Sequence, residues 1–226
     1  MCGRYSLEDP ENLDKWFEAI FDEIEEWEAN YNVAPTHIMP IIRQAGARRV
    51  IEKSRWGLLP FWAREEKISY SMINARSESL ATKRSFTPYF KKSRCLVPAT
   101  GFYEWKGSKG NKTPFYIYPT HEPLFAFAGL QSLWKSPEGK EISTYTIVTT
   151  QANNKMKDLH GRMPVMLLRE EWDQWLDPGN QDTTALQQLM DPFPDDAIDF
   201  YQVSKQVNSV RNNSPDLIRE QPSLFD

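Results

Sequence analysis

From residue 37 to residue 150 the chain breaks into short runs rich in β-branched and aromatic residues, each closed by turn formers, a pattern that long helices cannot occupy. The runs are His37 to Arg43, Arg48 to Trp56, Cys95 to Ala99, Phe102 to Lys106, Pro114 to Tyr118, Phe125 to Leu133 and Thr144 to Thr150. Gly107 to Lys112 and Ser136 to Lys140 read as hairpin-type loops. Seven or more antiparallel strands with few helices predict an α+β fold. A single domain over residues 1–220 is expected around a curled, mostly antiparallel, barrel-like sheet, with helices at its periphery.

Helical periodicity is clearest over residues 10 to 28. Leu13, Trp16, Phe17, Ile20, Ile24 and Trp27 recur at intervals of three and four opposite an acidic face, with Asp9 as N-cap and Pro10 at the first helical position. Further helices are predicted around residues 77 to 92, 169 to 176 and 182 to 190, before a strand near Phe200 to Val203. Neither an internal repeat nor a low-complexity linker interrupts the chain.

The 226 residues, 40% hydrophobic and 13% aromatic, can bury a proper core. No apolar run is long enough to span a bilayer, and the first thirty residues are acidic rather than a charged-then-apolar leader. The expected compartment is therefore the cytosol. Two cysteines are too few for a disulfide framework, and Cys95 reads as a small buried residue on a strand. His37, His121 and His160 stand far apart with no paired cysteine spacing, so neither a metal site nor a cofactor is expected.

The net charge of -4 hides a strong segregation. Before residue 29, ten acids face only Arg4 and Lys15, whereas residues 43 to 112 carry sixteen Lys or Arg against five acids. That basic third is interleaved with Trp56, Phe61, Trp62, Tyr70, Phe86, Tyr89, Phe90, Phe102, Tyr103 and Trp105. Phosphate neutralisation and stacking platforms are the two ingredients of single-strand nucleic-acid binding, although most of the aromatics must serve as core.

Chemistry concentrates in a few polar stretches. Cys2 follows the initiator, and its small side chain permits removal of Met1. The chain would then begin with an amine and a thiol on adjacent carbons, a pair that can capture an aldehyde as a thiazolidine. Met-Cys-Gly-Arg alone fits either a reactive terminus or an unremarkable second residue. Asn74 and Arg76 follow a strand-like approach, Glu104 lies between aromatics in a setting that suits a proton donor or relay, and His160 shares a Gly-containing loop with Arg162. Trp56 and Trp62 flank a turn punctuated by Gly57 and Pro60, where at least one ring is expected to be exposed.

Taken in order, these stretches resemble the SRAP family, the SOS-response-associated peptidase domain that shields abasic sites in single-stranded DNA. The resemblance rests on Met1 to Arg4, Asn32 to Thr36, Trp56 to Leu58 with Pro60 and Trp62, Asn74 to Glu78, Arg94 to Pro98, Gly101 to Trp105, Thr149 with Ala152 and Asn153, and His160 to Pro164. It implies Cys2 as the crosslinking nucleophile, with Asn74, Glu104 and His160 around it. It further implies DNA contacts by Arg4, Pro40, Trp56, Trp62, Arg76, Thr149 and Arg162. Arg4, Arg76 and Arg162 would hold phosphates, and the two tryptophans would support or wedge apart the flanking bases.

Other classes fit parts of the pattern. An N-terminal cysteine is similar to that of the N-terminal-nucleophile glutamine amidotransferases, whose thiol attacks a side-chain amide, and the family's name carries a peptidase reading. A single-strand-binding module with no covalent step is a third class, but it has no need of Cys2. At the other end, Gln221 to Phe225 resembles the short peptide by which bacterial replication proteins dock on the sliding clamp, with Gln221, Leu224 and Phe225 as anchors in a tail over residues 221–226.

Overall fold

A computed structural model describes residues 2–23, 27–108 and 110–222. Its strands are β1 (Tyr5–Leu7), β2 (Ala19–Phe21), β3 (Asn30–Val33), β4 (Ile38–Ala45), β5 (Arg48–Trp56), β6 (Asn74–Arg76), β7 (Arg94–Ala99), β8 (Gly101–Ser108), β9 (Asn111–Pro119), β10 (Phe125–Lys135), β11 (Glu141–Gln151), β12 (Arg162–Pro164), β13 (Met166–Leu167) and β14 (Ile198–Gln202). All seven runs singled out in the sequence are strands. The α-helices are short: α1 (Leu13–Phe17), α2 (Thr87–Lys92), α3 (Trp172–Leu176) and α4 (Thr183–Gln188).

The larger sheet closes on itself. Strands β5, β4, β7, β10 and β11 are neighbours in that order, and β11 returns to β5 through a parallel pairing of Thr144 with Arg55 and Tyr145 with Trp56. The result is a five-strand barrel filled by fully buried side chains such as Ile41, Val97, Phe127, Tyr145 and Ile147. A second sheet, β14-β9-β8-β1-β3, lies against it. Its strands alternate between two cores in the manner of a two-sided sheet. Tyr5, Leu7, Phe102 and Ile117 join the barrel core, while Tyr103, Tyr116, Val203, Val207 and Leu217 form a separate cluster on the outer face.

The helix expected over residues 10 to 28 is not formed. A 3-10 turn at Pro10–Asn12 leads into α1, which ends where Glu18 adopts the left-handed conformation (φ 50). Ala19, Ile20 and Phe21 then become β2 and pair in parallel with Arg49, Val50 and Ile51. Leu13 and Phe17 are buried as predicted, but Ile20 is 50% exposed, so the apolar spacing stops describing a helix there. Pairing along the open edge of β5 satisfies backbone groups that a continued helix would have left to solvent. Ile24 lies outside the described residues. The helix expected over 77 to 92 likewise shrinks to a 3-10 turn at Ser77–Ser79 and to α2, whereas the later two fall close to α3 and α4, the latter capped by Asp182 accepting from the backbone of Thr184 and Ala185.

The chain remains tied to the fold through Gln221. Val203 bridges Glu220, and the Gln221 N–H donates to the Gln202 carbonyl at 2.9 Å. Leu224 and Phe225 lie outside the described residues.

Barrel closure depends on Gly57. Its N–H donates to the Tyr145 carbonyl at 2.8 Å, its φ is +118, and a Cβ there would meet the Ser69 carbonyl oxygen at 2.8 Å. Gly57→Ala therefore introduces both a clash and a backbone strain of about 1–3 kcal/mol. A loss of at least that size in urea-denaturation stability is expected, and an unchanged midpoint would refute it.

Candidate active site

The site is assembled where the chain start enters the interface between the two sheets. Strand β1 pairs with β8 through Tyr5 and Phe102, and the Tyr103 N–H donates to the Arg4 carbonyl at 3.0 Å, which carries Cys2 alongside Glu104. On the other side β6 pairs in parallel with β11, Asn74 standing opposite Ile147. The Asn74 amide nitrogen donates to the Cys2 carbonyl at 2.8 Å. Cys2 is fully buried, and its thiol donates to the Arg4 carbonyl at 3.7 Å.

Burial pushes the Cys2 thiol far above its ordinary value, and the negative charge of Glu104 adds to the effect. In this setting the neutral thiol is the resting form. Glu104 is itself buried on β8. The Asn74 carbonyl oxygen is buried and has no hydrogen-bond partner among the described residues, so an acceptor is left over beside Cys2. With Met1 attached, the nitrogen of Cys2 is a peptide amide and carries no nucleophilic lone pair.

His160 enters from the far side of β11. It precedes β12, which pairs with Thr149, Thr150 and Gln151. His160 Nδ1 lies 2.9 Å from the Arg162 backbone nitrogen and 3.1 Å from the Arg162 carbonyl oxygen, so the loop holds the ring through that nitrogen. The Arg162 guanidinium donates to the Thr149 carbonyl at 2.6 Å and to Glu78 at 3.0 Å. Glu78, held below its usual range mainly by the hydrogen bond from Arg162, is a member of the site that sequence reasoning left without a role.

The residues expected to touch DNA divide sharply. Arg76 is exposed on β6, and Trp62 is 40% exposed. Trp56, by contrast, is 0% exposed, so no base can stack on it. Pro40 is buried in β4 opposite Lys53, and Thr149 is buried in β11, so neither side chain offers a contact surface. The Arg4 guanidinium is engaged within the fold, donating to Asn32 Oδ1 at 2.7 Å and the Val207 carbonyl at 2.9 Å, and lies over the Trp105 ring. Trp56, Pro40 and Thr149 thus lie on strands with their side chains turned inward, which short motifs do not report, while Arg4 is half-buried and keeps part of its guanidinium at the surface.

The basic third also spends much of its charge internally. Arg43, Arg49, Arg55 and Lys67 form ion pairs, and Arg94 is buried among backbone carbonyls. Phe61, one of the aromatics interleaved with the basic third, is 58% exposed beside Trp62, with the Arg84 guanidinium 5.8 Å from its centroid. Its position directly after Pro60, in a turn rather than a strand, was the available signal of that exposure. Among the described residues there is no cluster of three or more His, Cys, Asp or Glu suited to a metal, and no helix long and apolar enough to cross a membrane.

Comparison with known proteins identifies relatives of the whole chain. Residues 1–210 match the SOS response associated peptidase (SRAP) family. The abasic site processing protein YoqW of Bacillus subtilis (strain 168) is 44% identical, the match covering 96% of this chain and 99% of that relative. The abasic site processing protein HMCES of Gallus gallus is 33% identical over 84% of this chain and 65% of its own length. A crystal structure of a protein from Bacteroides thetaiotaomicron superposes with a TM-score of 0.86 at 29% identity, covering 98% of this chain and 100% of that one. The chain belongs to the SRAP family.

Proposed function

We propose that this protein processes abasic sites in DNA, binding the lesion in single-stranded DNA and capturing it covalently through Cys2 after Met1 is removed. The observation that carries the reading is the Asn74 to Cys2 hydrogen bond, which fixes the second residue of the chain inside the fold next to Glu104. A frayed terminus would have neither partner.

The chemistry follows from the groups present. An abasic deoxyribose is mostly a closed hemiacetal, and an acid and a base, Glu104 and His160, accelerate its opening. The Cys2 amine adds to the aldehyde carbon, and loss of one water leaves an iminium. The Cys2 sulfur then bonds to that carbon, the C=N pair returns to nitrogen, and the thiol proton passes to a nearby base. The product is a thiazolidine. Holding amine, sulfur and aldehyde together contributes up to about 7–11 kcal/mol. Ring closure also removes the iminium, whose electron demand would promote strand scission by β-elimination. The peptidase in the family's description corresponds in this reading to release of Met1 ahead of Cys2. The protein acts in the cytosol on the nucleoid.

Incubation with single-stranded DNA carrying one abasic site should give a band of retarded mobility that survives hot detergent, and Cys2→Ala should abolish it. A band that persists in Cys2→Ala, or its absence with the wild-type protein, would sink the reading. Release of ammonia from glutamine is expected to be nil, which separates this chemistry from amidotransferase chemistry.

Glu104 opposes thiolate formation at Cys2, so Glu104→Gln removes one of the two causes that hold the thiol up. The sign is downward: the thiolate forms at lower pH in the variant. The maximal crosslinking rate should fall through loss of the proton carrier, while the alkaline rise of the pH–rate profile moves to lower pH. A rise that stays in place would separate Glu104 from the sulfur.

The tail supports a second contact, with the sliding clamp, through Gln221, Leu224 and Phe225. Deleting residues 221 to 226 should abolish capture by immobilised clamp and leave crosslinking intact. Unchanged capture would remove that contact.

A further inference from the structure

Trp56 takes no part in base stacking, yet its environment is more specific than packing requires. The indole lies between two tyrosines, edge-on to Tyr5 with centroids 5.3 Å apart and parallel to Tyr145 at 6.3 Å. The two tyrosine hydroxyls close the frame with a hydrogen bond of 2.7 Å. All three side chains are fully buried. An indole held this way keeps one direction free for its N–H, and that N–H donates to the Ile73 carbonyl at 2.8 Å.

Ile73 immediately precedes Asn74. Its carbonyl accepts a second hydrogen bond, from the Ile147 N–H at 3.2 Å, so it is fixed from the barrel core and from β11 at once. This tie matters because β6 is a weak element. It has three residues, follows a 3-10 turn at Glu66–Ser71, and is held by a parallel pairing to Ile147, Val148 and Thr149. The side chain that reaches Cys2 therefore projects from a strand with little anchorage of its own.

We propose that Trp56 is a positioning residue for the chemistry at Cys2, its indole N–H holding the Ile73 carbonyl so that Asn74 meets the Cys2 carbonyl in one fixed geometry. The chain of contacts is Trp56 to Ile73, Ile73 to Asn74 through the backbone, and Asn74 to Cys2. Fixing the Cys2 carbonyl sets the rotation about its Cα–C bond and with it the directions in which the amine and the thiol leave the α-carbon. A displacement of about 1 Å at a reacting group can cost on the order of 100-fold in rate, so a lost hydrogen bond one residue away has kinetic weight. The proposal rests on Cys2 being the reactive residue, and it assigns to Trp56 a role that touches neither DNA nor the reacting atoms.

The test separates positioning from binding and from folding. Trp56→Phe removes the N–H and part of the ring, and replacement of Trp56 by 3-benzothienylalanine keeps the bicyclic shape while removing the N–H alone. Crosslinking is followed under saturating single-stranded DNA with one abasic site, affinity is measured on the same strand with a non-reactive tetrahydrofuran analogue, and thermal melting reports the fold. The benzothienyl variant should melt near the wild-type temperature, bind the analogue within twofold of wild type, and crosslink about tenfold more slowly. Combined with Asn74→Ala, it should be no slower than Asn74→Ala alone, because both act through one contact. An unchanged rate in the benzothienyl variant overturns the proposal. So does weakened affinity with an unchanged saturated rate, the signature of base stacking, or a double variant whose defects multiply. The wild-type reaction in the same assay tests Cys2 capture itself, and the ratio of variant to wild type tests Trp56, so the two can fail separately.

Discussion

The barrel is sealed along a seam only two residues long, where Thr144 and Tyr145 of β11 run parallel to Arg55 and Trp56 of β5. Backbone pairing of that length is too short to hold a closed sheet by itself, and the residues just after Trp56 complete the seam. Gly57 donates to the Tyr145 carbonyl, Leu59 donates to the Thr144 hydroxyl at 3.0 Å, and Ser132 donates from the neighbouring strand to the Leu59 carbonyl at 2.7 Å. The same seam delivers Trp56 beneath Ile73 and Asn74. Closing the barrel and aligning the candidate site are thus one structural event, and a strain introduced at Gly57 reaches Cys2 through no more than a few contacts.

Burial of Cys2 has a chemical consequence as well as a structural one. A thiol held well above its ordinary value is a poor nucleophile and a poor target for oxidation until a base takes its proton. In the proposed reaction the amine attacks first and needs no thiolate. Sulfur is called on only once an iminium stands beside it, a cationic electrophile that lowers the cost of the negative charge on sulfur. The arrangement therefore favours an order of events, with the sulfur step waiting on the amine step.

The sequence announced its strands because period-two alternation and turn chemistry act locally, and every one of the seven runs is governed by its own residues. The segment from Pro10 to Phe21 misled because Leu13, Trp16 and Phe17 satisfy a helix for just over one turn, after which a long-range pairing to β5 decides the outcome. The same distinction separates the site residues. Cys2, Asn74 and Glu104 were legible because their chemistry is carried by residue type, and the structure brings them to one place. The burial of Trp56 and the internal bonds of Arg4 were not legible, because an indole bonded to Ile73 and a guanidinium bonded to Asn32 and Val207 look in sequence like any exposed ring and any exposed cation.

The internal pairing of Arg162 with Glu78 bears on how a phosphate could be recognised here. The guanidinium gives part of its donor set to a carboxylate and part to the Thr149 carbonyl, and its Nε has no partner among the described residues. A phosphate approaching Arg162 must share it with Glu78 or displace that carboxylate, which is itself half exposed. Such an exchange replaces one anion by another, so the net electrostatic gain is smaller than for an unpaired cation, and specificity shifts toward geometry. Arg76, exposed on the strand opposite Thr149, forms no comparable carboxylate pair among the described residues and would contribute the larger share of salt-dependent affinity. The number of basic residues in the central third therefore overstates the phosphate-binding capacity of this surface, since the ion pairs and the buried Arg94 subtract from it before any DNA arrives.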